Sequence, residues 1–218
     1  MVGTIEPKRR EPIFNNITPG VLIIGSLMVV IEVYLQIFGL EPRRTLFIYF
    51  SFVPKPFLSQ FPELYFGDYY FRFISSAFLH GDFFHMVLNV AVLIAVGKHI
   101  EEHLGLLKFL TIFFLTAVSG ALFFQILEPT ETGPLVGASS SVYGLLAFFF
   151  GKDLVIRLNN SVSIQPIINI ALVMTLIHIP LVLWGPSLFG AEIAWQGHLG
   201  GAIAGFLLIF LIRESRAG

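Results

Sequence analysis

Apolar residues along this chain run in long blocks, at approximately residues 17–39, 80–98, 106–127, 137–151, 164–185 and 195–213. A hydrocarbon layer about 30 Å thick is crossed by about 20 apolar residues in helical form. The blocks therefore predict six transmembrane helices in one membrane domain over residues 17–213, with short tails at 1–16 and 214–218. The first block follows Lys8, Arg9 and Arg10, has the length of a span and is followed by no small-residue cleavage site, so it reads as a retained helix rather than a signal peptide. Between the first two blocks, residues 40–79 carry twelve aromatics from Phe47 to Phe73, and Pro54, Pro56 and Pro62 forbid one continuous helix there. Such a segment is expected to lie at the headgroup level. No repeat or second domain is evident, so the fold class is an all-α, polytopic membrane bundle with an interfacial first loop.

Composition agrees. Of 218 residues, 56% are hydrophobic and only 12% charged, with a mean hydropathy of +0.83. Soluble chains carry about 25% charged residues, enough to coat a surface in water. A net charge of -1 excludes the basic surplus of a nucleic-acid binder. The absence of cysteine removes disulfides, thiolate metal sites and cysteine nucleophiles. With the N-terminus inside, Lys8, Arg9, Arg10, Lys98, Lys108, Lys152, Arg157, Arg213 and Arg216 fall inside, and Arg43, Arg44, Lys55 and Arg72 outside. Nine against four favours both termini in the cytoplasm. Without a transit-like start, and with Glu6 and Glu11 near it, a bacterial inner membrane is expected.

Polar side chains inside spans are costly and are the first place to look for function. Three clusters fall near the outer side. In His80-Gly-Asp-Phe-Phe-His85-Met-Val-Leu-Asn89, His85 and Asn89 stand four apart, so both can donate to one point; they also suit interhelical glue. Gly137-Ala138-Ser139-Ser140-Ser141-Val142-Tyr143-Gly144 opens the fourth span, and three serines exceed what a helix cap needs. Free N–H groups at a helix start favour a developing oxyanion. In the last span, Gly197, Gly201 and Gly205 form a small-residue stripe that admits a close neighbour and carries His198 to the contact. A serine nucleophile needs a base, usually an imidazole, and donors for the oxyanion. Together the clusters could supply all three.

These residues resemble the rhomboid family of intramembrane serine proteases. The family's H-x-x-x-N, G-x-S-G and H-x-x-G-G motifs read here as His85 to Asn89, Gly137-Ala138-Ser139-Ser140 and His198-Leu199-Gly200-Gly201, in the same order and on the same spans. Phe71-Arg72 resembles a Trp-Arg pair, His80 a further family histidine, and Gly97 with Glu101 a G-x-x-x-E motif; the likeness covers about residues 66–205. Ser140 replaces the usual glycine and competes with Ser139 for the nucleophile's place. The register that aligns Tyr143 with the family's histidine-packing tyrosine selects Ser139.

The resemblance implies a Ser139–His198 dyad without an aspartate, an oxyanion held by His85, Asn89 and the Ser139 N–H, and an imidazole fixed by Tyr143. It implies transmembrane helices of other proteins as substrates, the lipid bilayer as setting, and no cofactor or metal. Glu32 in the first span reads as remote from the motif-bearing helices. His99-Ile-Glu-Glu-His103 fits an inverted zinc-protease signature, but a third ligand is not obvious. The main alternative is a catalytically inactive rhomboid-like protein that binds or escorts membrane helices. A transporter is disfavoured because the polar residues cluster at one depth.

Overall fold

The computed structural model describes residues 17–55, 59, 69–131, 133–189 and 193–212. The expected tails, with Lys8, Arg9, Arg10, Arg213 and Arg216, lie outside the described residues, as do Pro56 and Pro62. The described chain is helical: α1 (Pro19–Phe38), α2 (Leu40–Phe50), a short α3 (Arg72–Ser75), α4 (Phe83–Leu104, with a π-turn at Leu93–Gly97), α5 (Leu106–Leu127), α6 (Ser139–Asn159), α7 (Gln165–Phe189) and α8 (Trp195–Leu211). Each predicted span overlaps one of these helices. By length and composition α1, α4 and α5 suffice to cross a membrane. The fourth span is longer than expected, because Lys152, Asp153 and Arg157 continue its helix and Arg157 pairs with Asp153 one turn back at 2.8 Å.

Helices in lipid are apolar on every side, so burial rather than polarity marks their contacts. On α1, Val21, Ile24, Met28, Glu32 and Leu35 are buried along one stripe, while Leu22, Ile23, Val30 and Ile37 face outward. α5 is the central helix, with Phe109, Ile112, Phe113, Thr116 and Phe124 buried against α4, α6 and α8. α1 begins with Pro19, which suits a first helical position. Its Thr18 makes no local cap; instead Glu101 of α4 accepts from Thr18 Oγ1 at 2.6 Å and from the Gly20 and Val21 N–H groups at 2.8 and 3.0 Å. A carboxylate from a neighbouring helix thus caps α1 and meets the positive end of its dipole. Gly105, at φ +84°, turns the chain from α4 into α5.

The first loop is more built than a segment lying at the headgroups. α2 has no buried residue, in keeping with an interfacial position. Beyond it, Phe52, Tyr69 and Phe73 are buried with Phe124 and Leu135, and the Phe52 and Phe73 rings meet edge-on at 4.6 Å. Arg72 donates to the Ser51 carbonyl at 2.9 Å and Ser75 to the Phe50 carbonyl at 2.7 Å. Phe52, Tyr69 and Phe73 are therefore core residues of the bundle, while Tyr49, Phe50, Tyr70 and Phe71 are exposed.

Candidate active site

The strand-like link before α6 is held on both sides. Phe52 and Leu135 exchange backbone hydrogen bonds of 3.1 and 2.8 Å, and the Gly137 N–H donates to the Ser76 carbonyl at 2.9 Å. Gly137 itself has φ +108°, a conformation that side chains rarely adopt, and a Cβ there would stand 2.7 Å from Nε2 of His85. The absent side chain lets the histidine lie against the turn that delivers Ser139.

The three serines point to three different places, and none of them caps the helix, whose N-cap is Ala138. Ser141 donates to the Phe113 carbonyl of α5 at 2.8 Å. Ser140 is buried between α5 and α8: a Cβ on Gly120 would overlap its side chain, and one on Gly197 would come within 2.9 Å of its Oγ. Ser139 has its Oγ 2.9 Å from Nε2 of His198 on α8. The Tyr143 ring stacks on that imidazole with centroids 4.3 Å apart and planes 6° apart. Ser139, Tyr143 and His198 form one contact.

What brings α8 so near is its glycines. A Cβ on Gly201 would collide with the Ser140 carbonyl, and one on Gly205 with the Gly144 carbonyl. Ser119 of α5 donates to the Gly200 carbonyl at 2.8 Å and fixes the third side. Van der Waals contact between bare backbones is the main force available for such packing in lipid.

The remaining polar cluster differs from expectation in two details. α4 starts at Phe83, so His80 lies in the connection before the helix rather than within a span. Burial pushes the His80 imidazole down to about 3, and the neighbouring His85 adds to the effect, so His80 is neutral at pH 7. The His80 and His85 rings meet edge-on at 5.1 Å. Asn89 is buried and donates to the His85 carbonyl at 3.0 Å, an intrahelical bond rather than a second donor at the His85 ring.

Glu32 is the larger correction. It is fully buried and pairs with Arg43 of α2 at 2.7 Å, and Arg43 also donates to the His80 carbonyl at 2.7 Å and the Gly81 carbonyl at 3.2 Å. Instead of being remote, Glu32 is joined through one side chain to the segment that leads into His85. The sequence held a signal for the pair, since an acid inside a span needs a base and Arg43 stands one helix away on the side poorer in basic residues. Gly120, which makes room for Ser140, carried no such signal.

Residues 67–215 match the family model of the Rhomboid domain, which takes in the Ser139, His85 and His198 motifs alike. The chain belongs to the rhomboid family. It is thus a multi-pass integral membrane protein. This rhomboid is similar to Rhomboid-like protease 3 of Toxoplasma gondii, at 29% identity over 138 residues, which are 63% of this chain and 50% of that protein. It is also similar to Rhomboid protein 1, mitochondrial, of Saccharomyces cerevisiae, at 28% over 146 residues, 65% of this chain and 42% of that one. A shorter match, 31% over 75 residues, 34% of this chain and 21% of the other, joins it to Inactive RHOMBOID-like protein 8 of Arabidopsis thaliana. The chain spans about half the length of the first of these relatives and less of the others. Glu32 and Arg43 fall outside the matched domain.

Proposed function

We propose that this rhomboid is an intramembrane serine endopeptidase that cleaves transmembrane segments of other membrane proteins. The 2.9 Å approach of Ser139 Oγ to His198 Nε2, under a stacked Tyr143, carries the reading. Ser139 Oγ attacks the scissile carbonyl as His198 Nε2 takes its proton, and the imidazolium returns that proton to the leaving amine. Water then attacks the acyl-serine ester, with His198 again as base. It reaches the ester where Ser139, His85 and His198 remain partly exposed. The oxyanion is held by His85, by Asn89 after its amide turns from the His85 carbonyl, and by the Ser139 N–H at the start of α6, where the helix dipole favours negative charge. A substrate helix must unwind locally, since its hydrogen bonds otherwise hide the carbonyls.

The proposed setting is a bacterial inner membrane with both termini cytoplasmic, and the nine-to-four distribution of basic residues supports that orientation. The test is cleavage of a model transmembrane substrate by purified protein in liposomes. Ser139→Ala and His198→Ala each abolish it, and a fluorophosphonate probe labels Ser139. Full cleavage by Ser139→Ala overturns the assignment. The relative named inactive motivates one second reading, a protein that binds membrane helices without cutting them; its signature is substrate capture with neither cleavage nor labelling.

A further inference from the structure

The site has two halves, and only one is held by the helices that carry its motifs. α6 and α8 bring Ser139 and His198 together directly. His85 depends on where α4 begins, and that start is defined by residues 80–82: Asp82 Oδ1 accepts from the His85 N–H at 2.9 Å and the Asp82 carbonyl accepts from the Met86 N–H at 3.2 Å. A three-residue connection would leave this cap free to shift along its own turn. Arg43 prevents that. Its Nη1 reaches the His80 and Gly81 carbonyls while Nη1 and Nη2 together engage both oxygens of Glu32, at 3.2 and 2.7 Å. Glu32 is fully buried on α1 and is also held by Gln36 Nε2 at 2.7 Å, so the fork is anchored to a span and not to the loop.

We propose that Arg43, seated on Glu32, is a positioning residue for the oxyanion side of the site: it clamps the carbonyls of residues 80 and 81 and so fixes the α4 start from which the His85 ring lies against Gly137, two residues before Ser139. The planar guanidinium suits the task, since a carboxylate and two carbonyls must be served at once from fixed directions, which a lysine ammonium on a flexible stem does poorly. Arg43 touches no reacting atom. The inference rests on the protease reading for its kinetic consequence, but the placement of His85 can be observed without turnover.

The experiment compares wild type, Arg43→Lys, Arg43→Gln and the charge swap E32R/R43E in liposomes. It measures kcat and KM on a transmembrane substrate, the melting temperature, and the ¹⁵N resonances of the histidine rings. Displacing an oxyanion donor by about 1 Å costs up to about 100-fold in rate. Arg43→Gln is expected to lower kcat by about 10- to 100-fold with KM within about two-fold, and to move the His85 ring resonances while those of His99 and His103 stay in place. Arg43→Lys keeps the charge beside Glu32 and is expected to show the same split, smaller, at near wild-type melting temperature; it carries the test if the glutamine variant does not fold. The swap restores an ion pair but sets a carboxylate against the two carbonyls, so it recovers melting temperature and not kcat. Recovery of both by the swap reduces the pair to a stabilising contact and overturns the proposal, as does a folded Arg43→Lys with wild-type kcat and His85 resonances. If wild type neither cleaves nor reacts with a fluorophosphonate, the protease reading fails alone, and the His85 resonances still decide whether Arg43 positions the ring.

Discussion

α8 is fastened to α6 by what its residues lack, whereas α4 is fastened to α1 by what its neighbours carry. Along the first contact Gly201 and Gly205 lie on the Ser140 and Gly144 carbonyls with no room for a Cβ. Along the second, two buried carboxylates act at opposite ends: Glu101 of α4 caps the start of α1, and Glu32 near the end of α1 holds Arg43 against the carbonyls before α4. Close backbones make a rigid contact with little tolerance for substitution. Charged fastenings reach farther and recruit a loop residue, at the cost of burying ions that are destabilising once unpaired. The proposed Ser139–His198 dyad occupies the first kind of joint and the proposed oxyanion donor the second.

The largest effect is expected where the contact has no slack. Gly201→Leu places carbon against a carbonyl that belongs to a helix backbone and cannot rotate away, so α6 and α8 must separate. Overpacking of this kind costs about 3 kcal/mol or more. Cleavage and fluorophosphonate labelling are both lost, with a lower melting temperature. A Gly201→Leu protein that retains either activity breaks the contrast, because the first joint would then be as forgiving as the second.

Next comes Glu101→Ala, which strands the Gly20 and Val21 N–H groups and the Thr18 hydroxyl together. Hydrogen bonds to a charged partner contribute about 1.5–3 kcal/mol each, and relaxation recovers part of the sum, so a loss of about 3 kcal/mol is expected in unfolding measurements. Glu101→Gln, which keeps one acceptor, loses about half of that. Because Glu101 acts at the end of α4 away from the dyad, kcat per folded molecule stays within about two-fold. A fall in kcat without a fall in stability would mean that the two ends of α4 are coupled more tightly than the geometry indicates.

The joints were unequally legible in the sequence. Glycines at four-residue spacing beside His198 announce a close helix contact, and block length sets the number of spans, so a close neighbour for α8 could be read in advance, though not from the glycines that this neighbour is α6. Glu32 called for a basic partner, which Arg43 could supply, but it was not visible as a fastening for α4, because the link to His80 runs through main-chain carbonyls, which carry no residue identity. Likewise, the aromatic loop could be seen to be too apolar for water. Whether Phe52 and Phe73 face lipid or protein depends on tertiary packing, and they face protein. The site itself is mixed: Ser139, Tyr143 and His198 lie together, an arrangement that no spacing in the sequence dictates and that only the family resemblance implied, whereas the Asn89 amide is engaged within its own helix.

A smaller effect separates stacking from hydrogen bonding at the dyad. Tyr143 lies flat on His198 at 4.3 Å, so the ring face restrains the imidazole. Tyr143→Phe keeps that face and is expected to hold kcat/KM within about two-fold. Tyr143→Ala releases the ring and lowers kcat/KM about 10-fold, equivalent to about 1.4 kcal/mol of transition-state stabilisation. Equal losses in the two variants would shift the role from the ring to the phenolic hydroxyl.

The smallest effect concerns Ser140, which stands where the family usually has glycine. Its Oγ lies toward Gly120 and Gly197, about 100° around α6 from Ser139, and the room it needs is supplied by the missing side chain of Gly120. The extra atoms therefore enter the rigid joint without displacing the dyad. Ser140→Ala removes one oxygen from that space and is expected to change stability by about 0.5 kcal/mol and kcat by less than about two-fold. Ser140→Gly leaves a slightly larger gap, and a cost of about 1 kcal/mol follows from the cavity. Should Ser140→Ala instead eliminate cleavage while Ser139→Ala spares it, the two serines exchange roles. The glycine-lined contact would then have to rotate by about 100° on α6 to present Ser140 to His198, a movement that the backbone approach at Gly201 and Gly205 does not allow.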